Sequence, residues 1–470
     1  ILPDDAHYTD SDTEPNWGTF LLAGMRMGGG PIQAEEDFDY DSSTSDTVRD
    51  FASSYVCLDV TEPRDPRVMW ERTYDDLGFS MSRPAVVKVK DSWFAVFGSG
   101  PQDYNGTSAK NGHVFVVDLE TGQPYTNPSS GEDWLFDTGE SDAFINSPVS
   151  LDKNLNYSVD AIYFGETYHS GSWKGRVYKM TVPWVDNNGD FDGMDSSNYI
   201  DDPKDTSYPW YIASLFDVGK PVTAPLALSI DSLDNAWVFG GTGRYLSSQD
   251  KTNTDTQYLF GVKDPFYNEQ HISDGYYHSL TSSLELEPSD LFNSDPFKVT
   301  ADSASTSGGQ VFESGYEFGD FEDILATGRA EDGWIKTLQA SGERVLDKPA
   351  VFGGILFAPT FIPNDDVCGY GGQSNFYGLY YETGTAYKKS VFSETSEAYL
   401  DVDNDGSKEL TDVISEKISI GAGKGSSLGV HVGREQGAKA FIQLSTGNIK
   451  EINVSPAFNL KSGLQYWKEK

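Results

Sequence analysis

The sequence predicts an all-β chain, a modified β-propeller of about seven blades with long inserted loops. Two recurring phrases and a scarcity of helical periodicity predict it. The first phrase is a proline inside a short apolar run, followed by an apolar strand that closes on glycine or a small residue. It is written as Arg83-Pro84-Ala85-Val86 before Phe94-Ala95-Val96-Phe97-Gly98, and as Ser147-Pro148-Val149 before Ala161-Ile162-Tyr163-Phe164-Gly165. It returns as Ala224-Pro225-Leu226-Ala227 before Trp237-Val238-Phe239-Gly240, and as Lys348-Pro349-Ala350-Val351 before Ile355-Leu356-Phe357-Ala358. Self-similarity at a long fixed period marks a repeat architecture, because one unit cannot bury its apolar face alone and must stack on a neighbour.

The first two prolines stand 64 residues apart, the second gap is 77, and the third is about two periods with one degenerate copy inferred inside it. Copies of the strand without the proline occur at Phe20-Leu21-Leu22-Ala23-Gly24 and at Leu428-Gly429-Val430-His431-Val432-Gly433. The second phrase is a strand running into a Thr-Gly turn: Val114 to Gly122, Tyr377 to Gly384, Phe441 to Gly447, and more loosely Tyr55 to Thr61. Its terminal glycine suits a left-handed turn position, and its β-branched and aromatic runs suit pleated strands. Two strand pairs per unit make a four-stranded blade. The whole chain, 1–470, reads as one propeller domain.

Composition narrows the partners. A net charge of −39 argues against nucleic acid, whose phosphates need a basic groove, and against anionic lipid. No stretch approaches the ~18 apolar residues of a membrane span. Acidic residues gather at Glu35 to Asp50, Asp186 to Asp205 and Glu285 to Asp323 among Ser, Asn and Gly, and read as solvated loops. Cys57 and Cys368 fit either one long-range disulfide of an exported protein or, for Cys57 in an alternating strand, a buried free thiol. The chain opens on Ile1-Leu2-Pro3 without an initiator Met and reads as the C-terminal part of a longer precursor.

Two segments carry metal chemistry. Asp401-Val402-Asp403-Asn404-Asp405-Gly406-Ser407-Lys408-Glu409 sets carboxylates at positions 1, 3, 5 and 9, glycine at 6, and Asp412 at 12. Carboxylates converging at that spacing repel one another unless a hard cation compensates them, as oxygen ligation of Ca²⁺ does. The expected ligands are Asp401, Asp403, Asp405, the Ser407 carbonyl and Glu409, with Asp412 alternative or additional. Asp152-Lys153-Asn154-Leu155-Asn156-Tyr157-Ser158-Val159-Asp160 repeats the spacing with fewer charges. It reads either as a plain turn between two strands or as a weaker site with Asp152, Asn154, Asn156, the Ser158 carbonyl and Asp160 as the expected ligands. Asp186 to Gly193 has no consistent glycine register and reads as a loop.

Catalytic signatures are scarce. Gly425-Ser426-Ser427-Leu428-Gly429 matches a nucleophile elbow, but a strand rather than a helix is expected after it. The six histidines show no zinc spacing.

Several phrases together resemble the C-terminal propeller of the PilC/PilY family of type IV pilus tip proteins: Leu58-Asp59-Val60-Thr61-Glu62-Pro63, Phe97-Gly98-Ser99-Gly100, Gly241-Thr242-Gly243-Arg244-Tyr245-Leu246, Ser341-Gly342-Glu343-Arg344-Val345 and Thr360-Phe361-Ile362-Pro363. The resemblance implies a calcium-binding propeller exported to the cell surface or pilus tip. It further implies a part in pilus assembly, retraction, twitching motility and adhesion, with minor pilins as partners and host or abiotic surfaces as possible targets. It implies a calcium loop at Asp152 to Asp160, where Asn156 departs from the usual Asp. No enzymatic activity is expected. The alternatives are a quinoprotein-like propeller dehydrogenase, against which the lack of adjacent cysteines counts, and a non-catalytic extracellular scaffold.

Overall fold

The computed structural model describes residues 18–30, 32–36, 47–89, 92–125, 135–153, 155, 157–181, 210–265, 285–300, 310–366, 370–392, 399–400, 413–432 and 438–458. The chain divides into two compact units, Ile1–Ser214 and Leu215–Lys470.

In the first unit β1 (Phe20–Gly24), β4 (Tyr55–Asp59) and β5 (Arg67–Arg72) form one antiparallel sheet, with the hairpin of β2 (Ile32–Glu36) and β3 (Thr47–Phe51) inserted between β1 and β4. A four-stranded meander follows: β6 (Ala85–Val89), β7 (Ser92–Gly98), β8 (His113–Asp118) and β9 (Leu135–Asp137). The next sheet holds β10 (Ala143–Ile145), β11 (Val149–Leu151), β12 (Ala161–His169), β13 (Trp173–Thr181) and β14 (Tyr211–Phe216).

Both faces of the meander are buried, which its sequence requires. Phe94 and Val96 of β7 pack on one side with Val114, Val116, Ile162 and Phe164. Ala95 and Phe97, pointing the other way, pack with Tyr55, Cys57, Phe115 and Val117. Successive side chains of a strand alternate faces, so a run such as Phe-Ala-Val-Phe is consistent only with a sheet covered on both sides. Cys57 is a buried free thiol.

The proline phrase joins neighbouring sheets. The Ser82 hydroxyl accepts the Gly98 amide at 3.0 Å and donates to the Asn146 carbonyl at 2.9 Å. Asn146, its counterpart one repeat later, accepts the Gly165 amide on its side chain at 2.8 Å. The Arg83 amide likewise donates to the Ser147 hydroxyl at 2.8 Å. Residues 64 apart in sequence thus meet in space, as stacked copies of one unit must. Gly98 closes its strand because a Cβ there would lie 2.2 Å from Ile145.

The second unit begins with β15 (Ala227–Ile230), β16 (Ala236–Gly241) and β17 (Tyr258–Lys263), which continue into β22 (Gly333–Thr337) and its parallel partner β18 (Phe292–Asn293). Inserted before β22 are β19 (Phe297–Val299), β20 (Gln310–Glu313), β21 (Tyr316–Asp320) and the helix α1 (Phe321–Ala330). Then come β23 (Ala350–Phe352), β24 (Ile355–Pro363), β25 (Gly372–Tyr380) and β28 (Lys417–Ala422) in one sheet. The short pair β26 (Tyr399–Leu400) and β27 (Val413–Ile414) branches off before β28. The last sheet is β29 (Gly429–Val432), β30 (Ala438–Gln443) and β31 (Ile449–Val454). One continuous apolar core runs through the unit, from Trp237 and Phe239 through Trp334, Leu356 and Phe376 to Ile442 and Val454.

The acidic run Glu285 to Asp323, expected as solvated loop, is largely structured. Apolar residues interleaved with its acids, Phe292, Phe297, Val299, Val311 and Phe321, are buried in the core, and this burial decides its conformation. Its last acids form a capping box: the Asp320 carboxylate accepts the amides of Glu322 and Asp323, and Asp323 returns a bond to the Asp320 amide. Asp186 to Gly193 lies outside the described residues.

Candidate functional site

The hairpin turn between the proline strand and its glycine-closed partner differs from repeat to repeat. It spans two residues between β6 and β7, nine between β11 and β12, five between β15 and β16, and two between β23 and β24. The nine-residue loop is Asp152 to Asp160, the second metal segment of the sequence.

Two of its carboxylates are tied to the loop's own backbone. Asp152 Oδ2 accepts the Tyr157 amide at 2.8 Å and Asp160 Oδ2 accepts the Lys153 amide at 2.6 Å. Asp160 is fully buried, with Ser158 and Val159 nearly so. Leu155 and Tyr157 take left-handed backbone angles, φ 58° and 71°, and project outward at 80% and 82% exposure. At its described positions the loop thus turns Asp152 and Asp160 back onto its own backbone and leaves Leu155 and Tyr157 exposed. Asn154 and Asn156 lie outside the described residues. Among the described residues no group of three His, Cys, Asp or Glu is assembled.

The five-residue turn makes a useful contrast. Asp231 Oδ1 accepts the amides of Leu233 and Asn235, and Oδ2 accepts the Asn235 side-chain amide and the Trp237 indole N–H. Its carboxylate is satisfied entirely by donors of the protein. In the first metal segment, Asp401, Asp403, Asp405, Ser407, Glu409 and Asp412 all lie outside the described residues. The flanks are described: Tyr399 pairs with Ile414 and Leu400 with Val413, which brings the two ends of that loop together.

Other functional-looking phrases prove to be structural. Arg344 of the Ser-Gly-Glu-Arg-Val phrase spreads its guanidinium over four carbonyls, those of Gly342, Arg244, Asp250 and Asn253, at 2.7–2.9 Å. Arg244 of the Gly-Thr-Gly-Arg-Tyr phrase donates through Nη1 to both carboxylate oxygens of Asp250 at 2.6 and 2.7 Å. The two phrases are thus halves of one buried knot. Glu343 is saturated by Thr360, Asn375, Tyr377, Lys417 and the Ala340 amide. Burial alone would raise its pKa, but those hydrogen bonds and the Lys417 charge outweigh it and hold the carboxyl below its ordinary range. After Gly425-Ser426-Ser427-Leu428-Gly429 the chain enters β29, not a helix.

A feature missed in the sequence is tryptophan docking on the Thr-Gly turns. The Trp70 indole donates to the Leu119 carbonyl at 3.0 Å, and its ring lies where a Cβ on Gly122 would sit, 2.5 Å away. Trp334 repeats this on Tyr381 and Gly384 at 2.7 and 2.3 Å. The signal was a tryptophan 49 or 47 residues ahead of the turn, too far apart to stand out without the fold.

Repeated antiparallel sheets buried on both faces, joined by equivalent residues one period apart, define a repeat protein of the β-propeller class. The family model described as the PilY1 beta-propeller domain matches residues 6–275. The chain belongs to this family. It is 25% identical over 348 residues to a type IV pilus biogenesis factor PilY1 homolog of Xylella fastidiosa, covering 71% of this chain and 21% of that protein. It is 25% identical over 414 residues to the type IV pilus biogenesis factor PilY1 of Pseudomonas aeruginosa, covering 83% of this chain and 31% of that protein. The chain therefore spans less than a third of the length of these relatives. The crystal structure of the P. aeruginosa PilY1 C-terminal domain matches with a TM-score of 0.59 at 20% identity, over 92% of this chain and 85% of that one. The fold is a β-propeller.

Proposed function

We propose that this chain is the calcium-responsive propeller of a type IV pilus biogenesis factor, a binding and regulatory module carried at the cell surface. Family membership and the names of the relatives support the pilus role. The observation that carries the calcium reading is the nine-residue loop of β11–β12, which coils around Asp152 and Asp160 where other repeats turn in two or five residues. Asp152, Asn154, Asn156, Asp160 and the Ser158 carbonyl would hold Ca²⁺ there. Two charges imply weak binding, toward the ~10⁻⁴–10⁻³ M range of extracellular modules. Asp401 to Asp412, richer in carboxylates, is the tighter site of the same proposal. Minor pilins are the expected partners, and assembly, retraction and adhesion the expected processes.

Calorimetric titration of Ca²⁺ into the chelator-treated chain tests the reading, with Tb³⁺ luminescence sensitised by Tyr157 reporting on the weaker loop. Asp160→Ala should abolish the weak phase and leave the tight one. The same substitution in the complete pilus factor should change pilus number or twitching while the propeller stays folded. A weak phase unchanged by Asp160→Ala would remove calcium from this loop, and piliation equal to wild type at every calcium concentration would remove regulation from it.

A further inference from the structure

Glu166 on β12 is a carboxyl where other repeats carry small residues. It follows the Phe164-Gly165 pair as Ser99 follows Phe97-Gly98 and as Gly241 follows Phe239-Gly240. It is fully buried, and its Oε2 has no geometrically satisfactory hydrogen-bond partner among the described residues. Its Oε1 lies 2.5 Å from the Thr138 hydroxyl, and that hydroxyl also lies 3.1 Å from the Gly112 carbonyl. A hydroxyl has one proton to donate. Both contacts are hydrogen bonds at once only when Glu166 is protonated and donates to Thr138, which then donates to Gly112.

The charged groups around Glu166 are few. Arg176 and Tyr178 face it from β13, Arg176 directly opposite in register, and Glu140 faces it from the connector between β9 and β10. Ile145 of β10, opposite on the other side, is apolar, and residues 110–113 present the Gly112 backbone. Arg176 is ion-paired with Glu140. The connector is fastened by its backbone: the Gly112 amide donates to the Glu140 carbonyl, the Gly112 carbonyl accepts the Thr138 amide, and the His169 amide donates to the Asp142 carbonyl.

We propose that Glu166, Arg176 and Glu140 form a proton-operated latch on the β9–β10 connector. With Glu166 protonated, Arg176 stays on Glu140 and the connector is fastened. When Glu166 loses its proton, the buried carboxylate draws Arg176 to itself, Glu140 is released, and the Thr138 hydroxyl turns from Gly112 to Glu166. Burial raises the Glu166 pKa to about 7, with Glu140 adding to the rise and Thr138, Tyr178 and Arg176 offsetting it only in part, so the latch operates near neutrality.

Hydrogen exchange of the full chain between pH 5.5 and 8.5, corrected for intrinsic exchange, reads the latch at the Gly112, Thr138 and His169 amides. Protection there should fall at least tenfold across pH 7 in wild type, stay high in Glu166→Gln and stay low in Glu140→Gln. Protection flat with pH in wild type, or the same pH dependence in Glu166→Gln, would overturn the proposal. Infrared difference spectroscopy of wild type needs no variant: a buried carboxylic acid band should persist above pH 6 and disappear by pH 8.5, and its absence at pH 6 would equally overturn it.

Discussion

Gly384→Ala should destabilise the second unit far more than Gly447→Ala, although both glycines end the same Thr-Gly phrase in left-handed conformation, φ 66° and 87°. Any alanine in that region costs about 1–2 kcal/mol in backbone energy, and for Gly447, with nothing within 4 Å of the added Cβ, that is the whole cost. At Gly384 the Cβ would lie 2.3 Å from the ring of Trp334, which is fully buried. The indole must move in a packed core, at about 1–3 kcal/mol for overpacking. It then loses its 2.7 Å bond to the Tyr381 carbonyl, and a buried indole N–H left unpaired costs about 1–3 kcal/mol. The sum is ~3–8 kcal/mol at Gly384 against ~1–2 at Gly447. Urea unfolding of both variants, followed by tryptophan fluorescence and by protease resistance because a chain of two units need not unfold in one step, measures the difference. Trp334→Phe in the Gly384→Ala background should recover part of the loss, since it removes the larger ring system the new methyl meets. Gly384→Ala within about 0.5 kcal/mol of Gly447→Ala would refute docking as the reason for this glycine.

Arg344→Lys should cost about 2–3 kcal/mol, because an ammonium cannot span the four carbonyls that the guanidinium serves, and at least one is left buried and unpaired; thermal unfolding measures it. Glu416→Ala should cost about 3–5 kcal/mol by stranding Lys336, only 1% exposed and 2.7 Å from Glu416. The double variant Lys336→Met/Glu416→Leu should recover most of that loss in the same melt. For Glu166 the folded-state pKa of about 7 lies above its ordinary 4.5, so the protonated form is favoured in the fold. Its contribution is full below pH 4.5, declines as pH rises toward 7, and totals about 3 kcal/mol. Glu166→Gln should therefore gain stability relative to wild type as pH rises from 5 to 8 in parallel melts.

The strands were legible because their signals are local. Phe94-Ala95-Val96-Phe97-Gly98 and its copies combine β propensity, continuous apolar character and a glycine stop within a few residues, and each copy became a strand. The helix Phe321–Ala330 was not legible, because Gly328 and Thr327 interrupt its pattern and only four of its residues are buried. Its stability comes from tertiary contacts: Arg329 forks onto Glu382 at 2.6 and 3.2 Å, and Lys263 donates to the carbonyls of Arg329 and Glu331 at its C-terminus. Of the metal segments, spacing marked out Asp152 to Asp160, which lies between β11 and β12 with Asp152 and Asp160 bonded to the loop's own amides. It could not distinguish Arg344 as a packing residue, since three of its carbonyl partners come from a segment about 90–100 residues away.

A repeat supplies its own control, and this separates packing from function without any alignment. Ser82 and Asn146 differ in chemistry yet perform one task, accepting the closing glycine amide of their strand, so their variation is neutral to the fold. Asp160 and Glu166 are different. Asp160 immediately precedes β12 and Glu166 lies on it, so two fully buried carboxyls bracket the apolar residues Ile162 and Phe164 where the corresponding strand β7 carries none. A buried carboxyl is costly unless a proton, a cation or donors of the protein compensate it. Asp231 shows the third solution in the neighbouring repeat, with four donors on one carboxylate. Glu166, whose Oε2 lacks a geometrically satisfactory partner, is suited to the proton, and for Asp160 the proposal assigns the cation. The strand that departs furthest from the repeat is thus where the proposed proton latch and the proposed calcium loop would both act on the fold.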